Sequence, residues 1–422
     1  MAIVQLKSTN PNFSFVIRKN PQSGMLIRSV RKGLAYGWYT DESCFNVYFK
    51  DADNEVSYKK DADEQFEYLN VSRYHTPLFP MKAISEFFSS AFKEAQEQDV
   101  IGFEHTFFIN MIHLDRMHYV EFFRKHFPDC EFDYKHQAHK SYSLTIRTTK
   151  SIYYLLHVVN VFCVFMSMFA PEHLDLSDST LEKSIRSVNI IDAPFYIRNL
   201  FVVNFLNSRV RFGKFKKALE KTERYKIEFA QGGTASQRRD FIREQLSFDK
   251  GILDVGCGEG FYATAFAPKV EDHYYAVDID LECLEMVEKR AARRQIENIL
   301  LYNSLEEFLA IYNEGLVDII LTEVIEHMPL EQAKRLIKKL LKHVNFEMLV
   351  ITTPNADFNS FYELSGFRHE DHDWEMGKLD FEVWVKEIFE PYPCTYIFAS
   401  IGDRVNGIAT TQGVIVKRGA KK

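Results

Sequence analysis

The sequence predicts an α/β protein with a Rossmann-like C-terminal domain, which is preceded by an α+β N-terminal domain. From Gly251 onward, apolar strand segments alternate with amphipathic helical segments, a pattern that is typical of a parallel sheet covered by helices. The first strand segment, GILDVG, leads into a glycine-rich turn, as in doubly wound nucleotide-binding domains. Before residue 230, short β-type runs and helical segments follow one another without this regular alternation.

A boundary between the two domains is predicted in the segment AQGGTAS, where Gly232 and Gly233 are followed by small polar residues. We therefore expect an N-terminal domain over residues 1–230 and a C-terminal domain over residues 234–422. In the first domain we predict strands in FSFVIR, GMLIRSV, FNVYF, EVSYK and FEYLN, and a helix in MKAISEFFSSAFKEAQEQ.

Composition and charge restrict the classes of function. The net charge is −7 over 422 residues, so any contact with nucleic acid would need local basic patches. The six cysteines are scattered and form no CxxC pair, which argues against a zinc knuckle or a disulfide framework. The first residues turn polar at once and lack the apolar core of a signal peptide. We therefore expect a cytoplasmic protein.

One apolar stretch, from Ile152 to Ala170, is long enough to cross a bilayer. Three polar residues interrupt it, namely His157, Asn160 and Ser167, and no basic stop follows on one side. The stretch is therefore predicted to be a buried core helix, and no membrane contact is expected.

A cofactor site is predicted at the carboxyl ends of the first three strands of the C-terminal domain. The turn DVGCGEG has the DxGxGxG form of S-adenosylmethionine-dependent methyltransferases, in which glycines allow a tight turn and a close approach to the ligand. An acid about 20 residues further on would accept hydrogen bonds from the ribose hydroxyls. The predicted cofactor-binding residues are Asp254, Gly256, Gly258, Gly260, Asp278, Ser304 and Leu305.

A metal site is predicted at the end of the fourth strand, in the segment EVIEH. If this segment turns into a helix, Glu323, Glu326 and His327 share one face because they stand at positions i, i+3 and i+4. The segment FRHEDHD follows the next strand and could fold over the same pocket. Carboxylates combined with imidazoles suit Mg²⁺, Mn²⁺ or Co²⁺ better than a thiolate-seeking ion. Alone, EVIEH could instead be the start of a helix whose N-terminal dipole favours acids, and FRHEDHD could be a solvated charged loop.

The motifs EVIEH, TPNADFN and FRHEDHDWE resemble those of the small-RNA 2′-O-methyltransferase family, which is known from plant microRNA methylation and bacterial RNA repair. The resemblance implies that Glu323, Glu326, His327 and His372 are the four metal ligands. It also places Arg368 and His369 in the family's Arg-His pair. The chain departs from the family at DHDWEMGK, where the family has DHxFEWTR. Lys378 keeps the positive charge of the arginine without its bidentate fork, which puts the grip on RNA at this corner in doubt.

The N-terminal half is similar to the N-terminal domain of the bacterial members in RKGLAYGWY, FNVYF, FEYLNVSRYHTPLF and the apolar helix. In those proteins this domain is linked to a polynucleotide kinase-phosphatase-ligase. The resemblance therefore implies a ligase-activating module in residues 1–230 and a repair enzyme as partner.

Together these features predict metal-dependent methyl transfer from S-adenosylmethionine to the 2′-hydroxyl of the 3′-terminal ribose of RNA, in RNA repair or 3′-end protection. A cation that holds both vicinal oxygens would accept only RNA with a free 3′ end. His327 and His369 are both candidates for the base that accepts the proton, and Arg368 is a third candidate catalytic residue. Two basic patches could hold RNA, the first over residues 209–217 and the second formed by Lys334, Arg335, Lys338, Lys339 and Lys342.

Two other functions fit parts of the sequence. One is a small-molecule O-methyltransferase, although catechol-type enzymes hold their metal by acidic ligands. The other is a repair scaffold with a degenerate methyltransferase half, against which the intact DxGxGxG, EVIEH and DH motifs argue.

Overall fold

The computed structural model describes residues 2–30, 33–50, 58–59, 68–69, 74–170, 177–362, 364 and 366–419. These residues form two compact units, Met1–Arg198 and Asn199–Lys422. The α+β unit and the α/β unit that the sequence predicts are both present, in the predicted order.

The first unit is built on a seven-stranded sheet with the order β2-β3-β4-β1-β7-β9-β8, in which all neighbouring strands run antiparallel. The strands are β1 (Ala2–Ser8), β2 (Leu26–Val30), β3 (Gly33–Asp41), β4 (Cys44–Lys50), β7 (His105–His113), β8 (Cys130–Ala138) and β9 (Ser141–Thr148), with a separate pair formed by β5 (Tyr58–Lys59) and β6 (Tyr68–Leu69). The helices are α1 (Phe13–Val16), α2 (Leu78–Phe87), α3 (Ser89–Lys93), α4 (Met117–His126), α5 (Ile152–Ser167), α6 (Asp178–Ile190) and the start of α7 (Phe195–Phe205).

The prediction of a strand in FSFVIR is wrong, since the segment contains the short helix α1. The side chain of Asn10 accepts a hydrogen bond from the backbone N–H of Asn12 at 2.8 Å and bends the chain there. Phe13 and Val16 stand three residues apart and are both buried, which a helical turn allows and a strand does not. GMLIRSV and FNVYF contain strands as predicted, whereas most of EVSYK and FEYLN lies outside the described residues.

The apolar stretch after residue 151 forms the buried helix α5, as predicted. Its polar residues find partners inside the unit: His157 Nδ1 lies 2.8 Å from Ser187 Oγ on α6, and Asn160 Nδ2 donates to the same oxygen at 3.0 Å. Burial lowers the pKa of His157 to about 3, so the ring is neutral near pH 7. No helix in the described part of the chain is long and apolar enough to span a membrane.

The second unit contains an eight-stranded sheet with the order β10-β16-β17-β15-β14-β11-β12-β13. Its elements are α8 (Arg209–Leu219), β10 (Ile227–Glu228), α9 (Thr234–Gln245), β11 (Gly251–Val255), α10 (Ala263–Phe266), β12 (Tyr274–Val277), α11 (Leu281–Arg294), β13 (Ile299–Tyr302), α12 (Leu305–Ile311), β14 (Val317–Thr322), α13 (Leu330–His343), β15 (Phe346–Pro354), α14 (Lys378–Phe389), β16 (Cys394–Val405) and β17 (Ile408–Arg418). Strands β11 to β15 pair in parallel, whereas β17, β16 and β10 add an antiparallel edge.

Helices cover both faces of this sheet, as the alternating pattern predicts. Residues of α12, α13 and α14 pack with one buried cluster, and residues of α9, α10 and α11 pack with the other. Every residue of β11 and of β14 is buried, which is expected of central parallel strands. Because parallel strands end at the same edge, the turns after β11, β12, β13, β14 and β15 all lie at that edge.

The structure divides the chain after Arg198, before the boundary that the sequence predicts at residues 230–234. The residues between these two boundaries belong to the second unit and are held to its sheet through Asp403, which is buried in β16. The Asp403 carboxylate accepts hydrogen bonds from Asn199 Nδ2 at 2.7 Å, from the Ala230 N–H at 2.7 Å and from Gln237 Nε2 at 3.0 Å. Domains over residues 1–230 and 234–422 therefore stay a prediction about independent folding.

A comparison of two fragments tests that prediction. We expect residues 199–422 to be more stable than residues 234–422 by about 3 kcal/mol, because the shorter fragment leaves the buried Asp403 with only one of these three donors. Urea denaturation of both fragments measures the difference. Substituting Asp403→Asn should narrow the gap, and equal midpoints for the two unsubstituted fragments would contradict this account.

Candidate cofactor and metal site

The glycine-rich turn that follows β11 is fixed to the end of β12. The backbone N–H of Gly258 donates to Asp278 Oδ2 at 2.7 Å, so the predicted ribose-binding acid also supports the turn. Gly256 has φ of +76°, and a Cβ there would lie 2.3 Å from Cγ2 of Val324. Glycine is therefore required at position 256, both for its backbone conformation and for this close packing.

A cavity of about 760 Å³ opens at this edge of the sheet. Five of the seven predicted cofactor residues line it, namely Gly256, Gly258, Asp278, Ser304 and Leu305. Gly260 instead provides close packing, since a Cβ there would lie 2.9 Å from Val287 of α11. Asp254 is buried beneath the cavity wall, where it accepts a hydrogen bond from Tyr274 Oη at 2.7 Å, and burial raises its pKa to about 7.

The segment EVIEH does not form the helix considered for it. Only Ile325–His327 forms a single 3₁₀ turn, and α13 begins at Leu330. Glu323 has φ of +53°, a left-handed conformation that is rare for a side chain of this kind, and its N–H donates to the Thr352 carbonyl at 3.0 Å. Strained backbone of this type is concentrated at functional sites.

Three of the four predicted metal ligands come together in the structure. Glu326, His327 and His372 each offer a ligand atom, and these atoms lie within 4.8 Å of one another. Glu326 is 0% exposed. Its Oε2 accepts a hydrogen bond from Thr353 Oγ1 at 3.1 Å, while Oε1 has no partner within the described part of the chain. Burial and the nearby Glu323 raise the pKa of Glu326 well above its usual value.

The two histidines of this group are each oriented by a carboxylate. His372 Nδ1 lies 2.6 Å from Glu375 Oε1, and His327 Nδ1 lies 3.1 Å from Asp371 Oδ2. Their rings are 4.7 Å apart and nearly perpendicular. A carboxylate on one ring nitrogen leaves the other for a cation, which is the usual arrangement around metal-binding histidines.

Glu323 stands apart from this group of three. Its Oε2 pairs with Arg238 of α9 at 3.1 Å, and its Oε1 accepts a hydrogen bond from Thr352 Oγ1 at 3.2 Å. Sequence reasoning missed Arg238, because this residue lies outside every recognised motif and reaches Glu323 only through the fold. Glu323 lines the same cavity, so its place as a fourth ligand stays a prediction.

Arg368 supports the segment that carries His372, and His369 lies beside the His372 ring. The Arg368 guanidinium donates to Asn359 Oδ1 and to the Asn355 carbonyl, both at 2.8 Å, which attaches the FRHEDHD segment to the end of β15. The exposed His369 has its ring 5.1 Å from that of His372. Of the three candidate catalytic residues, His327 alone is among the described residues that line the cavity.

The residues present fit a divalent cation. Glu326 Oε1 is buried and has no hydrogen-bond partner among the described residues, which is costly for a carboxylate. One carboxylate and two imidazoles, with a second carboxylate beside them, are ligands that Mn²⁺, Co²⁺ or Mg²⁺ can use. His327 and Glu323 line the cavity together with Gly256 and Asp278. Cofactor and metal residues therefore share one space.

Comparisons with known proteins agree with this architecture. Residues 3–224 match the Hen1 N-terminal domain, and residues 252–346 match a methyltransferase domain. A small RNA 2′-O-methyltransferase of Caenorhabditis elegans is 34% identical over 77 residues, which are 18% of this chain and 17% of that protein. The protein of the same name from Mus musculus is 25% identical over 229 residues, 50% of this chain and 56% of that protein.

Among solved structures, one chain of a Pnkp1/Rnl/Hen1 RNA repair complex superposes with a TM-score of 0.82 and is 24% identical, covering 99% of this chain and 100% of that chain. This likeness shows that each of the two units has the same fold as the corresponding part of that chain. The present chain spans little more than half the length of the mouse relative, and less of the nematode protein. Because the Hen1 N-terminal domain covers more than half of the 422 residues, and a methyltransferase domain follows it, the chain belongs to the Hen1 family, the small RNA 2′-O-methyltransferase family that its motifs resemble.

Proposed function

We propose that this protein transfers the methyl group of S-adenosylmethionine to the 2′-hydroxyl of the 3′-terminal ribose of RNA. The observation that carries the proposal is the cavity that contains both the glycine-rich turn with Asp278 and the group around His327. A methyl donor and an activated hydroxyl must stand next to each other for in-line transfer. The shared cavity provides that proximity.

Glu326, His327 and His372 would hold a divalent cation, Mg²⁺, Mn²⁺ or Co²⁺, with Glu323 as the fourth candidate. When bound, the cation would supply positive charge that makes a hydroxyl more acidic. Glu375 and Asp371 would keep the two imidazoles in place and make them more basic. Arg368 would act as a positioning residue, since its guanidinium attaches the segment that carries His372 to Asn355 and Asn359.

Of the two histidines that could accept the proton, we infer that His369 is better suited. In His327, Nδ1 already faces Asp371. If Nε2 bound the cation, His327 would have no ring nitrogen left to accept a proton. The His369 ring is exposed and lies beside that of His372. Substitution of His369→Gln should lower kcat more at pH 6.5 than at pH 8.5, because hydroxide can replace a missing base as the pH rises, while thermal stabilisation by Mn²⁺ is unchanged.

The biological setting is part of the proposal. The solved relative of the same fold is a chain of a Pnkp1/Rnl/Hen1 RNA repair complex, which supports a polynucleotide kinase-phosphatase-ligase as partner of this protein too. The Hen1 N-terminal domain over residues 3–224 would then be the ligase-activating module. The six cysteines are all free in the structure, which supports a reducing cytoplasmic location.

RNA ends test the proposed reaction. With labelled S-adenosylmethionine and Mn²⁺, we expect methylation of RNA with a 3′-hydroxyl and none of RNA with a 2′-deoxy terminus, which lacks the nucleophile. A 3′-phosphate should lower kcat/KM by about 100-fold or more, because it adds negative charge next to Glu323, Glu326 and Asp371. If the protein methylates a catechol but none of these RNAs, it is a small-molecule O-methyltransferase. If it binds RNA but transfers no methyl group to RNA or catechol, the scaffold function is favoured.

A further inference from the structure

A strongly basic segment precedes the methyltransferase sheet within the second unit. Residues 209–226, called here the basic segment, contain eight lysine and arginine residues and only two glutamates, in a chain whose net charge is −7. The segment consists of helix α8 and the loop that leads to β10. Charge of one sign concentrated in this way creates a local positive potential that the composition of the whole chain conceals.

The segment presents its charges outward because its apolar residues anchor it. Phe215 and Leu219 are buried on one side of α8, whereas Arg209, Lys214 and Lys217 are exposed on the other. One of the two glutamates, Glu220, is occupied inside, since its Oε1 accepts a hydrogen bond from the Phe229 N–H at 2.8 Å and lies 3.5 Å from Lys216.

The end of the basic segment contacts a turn that supports the candidate metal site. The Tyr225 ring packs edge-on against that of Phe361, with centroids 5.9 Å apart. Phe361 belongs to the 3₁₀ turn Ala356–Tyr362, in which Asn359 fixes both Arg368 and Glu375. Glu375 in turn orients His372. Through these contacts, the end of the basic segment is connected to His372, one of the candidate metal ligands.

The second basic patch that the sequence indicates is less suited to this role. Lys339 of α13 forms an ion pair with Glu306, and Lys334 Nζ lies 4.0 Å from Glu387. These contacts neutralise part of the α13 charge. The basic segment also forms ion pairs, of Lys216 with Glu220 and of Lys226 with Glu228, but its eight lysine and arginine residues outnumber its two glutamates.

We propose that the basic segment binds the sugar-phosphate backbone of the RNA a few nucleotides before its 3′ end. This inference rests on the proposed function, because it concerns the part of the RNA substrate that lies outside the active-site cavity. The eleven residues of α8 extend over roughly 16 Å, enough to contact several successive phosphates. Such contacts are independent of base sequence and sensitive to salt.

The test compares the double substitution Lys214→Ala/Lys217→Ala with a matched control, Arg293→Ala/Arg294→Ala. The control also removes two positive charges from exposed helical positions, at the end of α11. We expect the α8 variant to raise KM about tenfold for a 3′-hydroxyl RNA of about 20 nucleotides at low salt, and to reduce the slope of log K against log salt by about 1.4. Its kcat should stay within about twofold, and the control variant should match the wild type in both measurements.

A trinucleotide substrate and a binding assay separate the possible failures. The α8 variant should raise KM less for a trinucleotide than for the RNA of about 20 nucleotides, because the shorter substrate offers fewer phosphates to the basic segment. Equal KM values and equal salt slopes with the long RNA in the wild type and the α8 variant would overturn the inference. This holds even if the α8 variant no longer binds a protein partner, because the basic segment would then be a protein-binding surface. If the wild type methylates no RNA, the proposed function fails, and fluorescence anisotropy with labelled RNA still decides whether Lys214 and Lys217 contribute to binding.

Discussion

Substitution of Glu326→Gln is expected to lower methyl transfer by about three orders of magnitude and to make the cation-free protein more stable. Methyl transfer should fall because a bound cation contributes several kcal/mol to reactions of this kind, and Glu326 is the buried carboxylate of the proposed ligand group. The cation-free protein should become more stable because the glutamine amide would carry no charge beside Glu323. Removing a buried carboxylate whose Oε1 has no partner among the described residues should raise the free energy of unfolding by about 1 kcal/mol.

Thermal unfolding with and without Mn²⁺ measures both effects in the same experiment. In chelator, the Glu326→Gln variant should melt above the wild type. Addition of Mn²⁺ should raise the melting temperature of the wild type and leave that of the variant unchanged. Glu331→Gln is the matched control, because Glu331 is an exposed acid in the first turn of the neighbouring α13. If Mn²⁺ raised the melting temperatures of Glu326→Gln and of the wild type equally, Glu326 would not be a cation ligand.

The predictability of the site differs between its two halves. The cofactor half follows from local patterns, since an apolar strand, a glycine-rich turn and an acid about 20 residues later recur in sheets of this type. The metal half depends on tertiary contacts. Glu323 has a left-handed conformation, and its carboxylate contacts Arg238 and Thr352, which are both distant in the sequence. No periodicity in EVIEH contains that information.

The fold shows the same division between local and distant causes. The alternating helices and strands after Gly251 were predictable because each element carries its own hydrophobic period. The hairpin of β16 and β17 was not, since only three of the twelve residues of β16 are buried, and its position is fixed by pairing with β15. Helix α1 was mistaken for a strand because the four apolar residues of FSFVIR fit either structure, and the turn at Asn10 decided between them.

The two halves of the site are in direct contact at Val324, so one substitution should damage both. Gly256→Ala would place a Cβ 2.3 Å from Val324 Cγ2 at a backbone φ of +76°, and the side chain that must yield belongs to the residue between Glu323 and Ile325. We expect affinity for S-adenosylmethionine to fall by about 100-fold, from some ~3 kcal/mol of overpacking and backbone strain. The stabilisation by Mn²⁺ should also become smaller, because Val324 is two residues from Glu326.

Calorimetric titration with S-adenosylmethionine and thermal unfolding with Mn²⁺ measure the two losses of Gly256→Ala. Gly407→Ala is the control for backbone strain alone, since Gly407 has φ of +83° in the turn between β16 and β17, and a Cβ there meets no atom of the described residues within 4 Å. The double substitution Gly256→Ala/Val324→Ala removes both clashing methyl groups and leaves the nearest contact at 3.3 Å, the distance to Val324 Cβ. It should restore most of the Mn²⁺ response and part of the cofactor affinity. If Gly256→Ala weakens cofactor binding and leaves the Mn²⁺ response intact, the two halves act independently, and Val324 does not couple them.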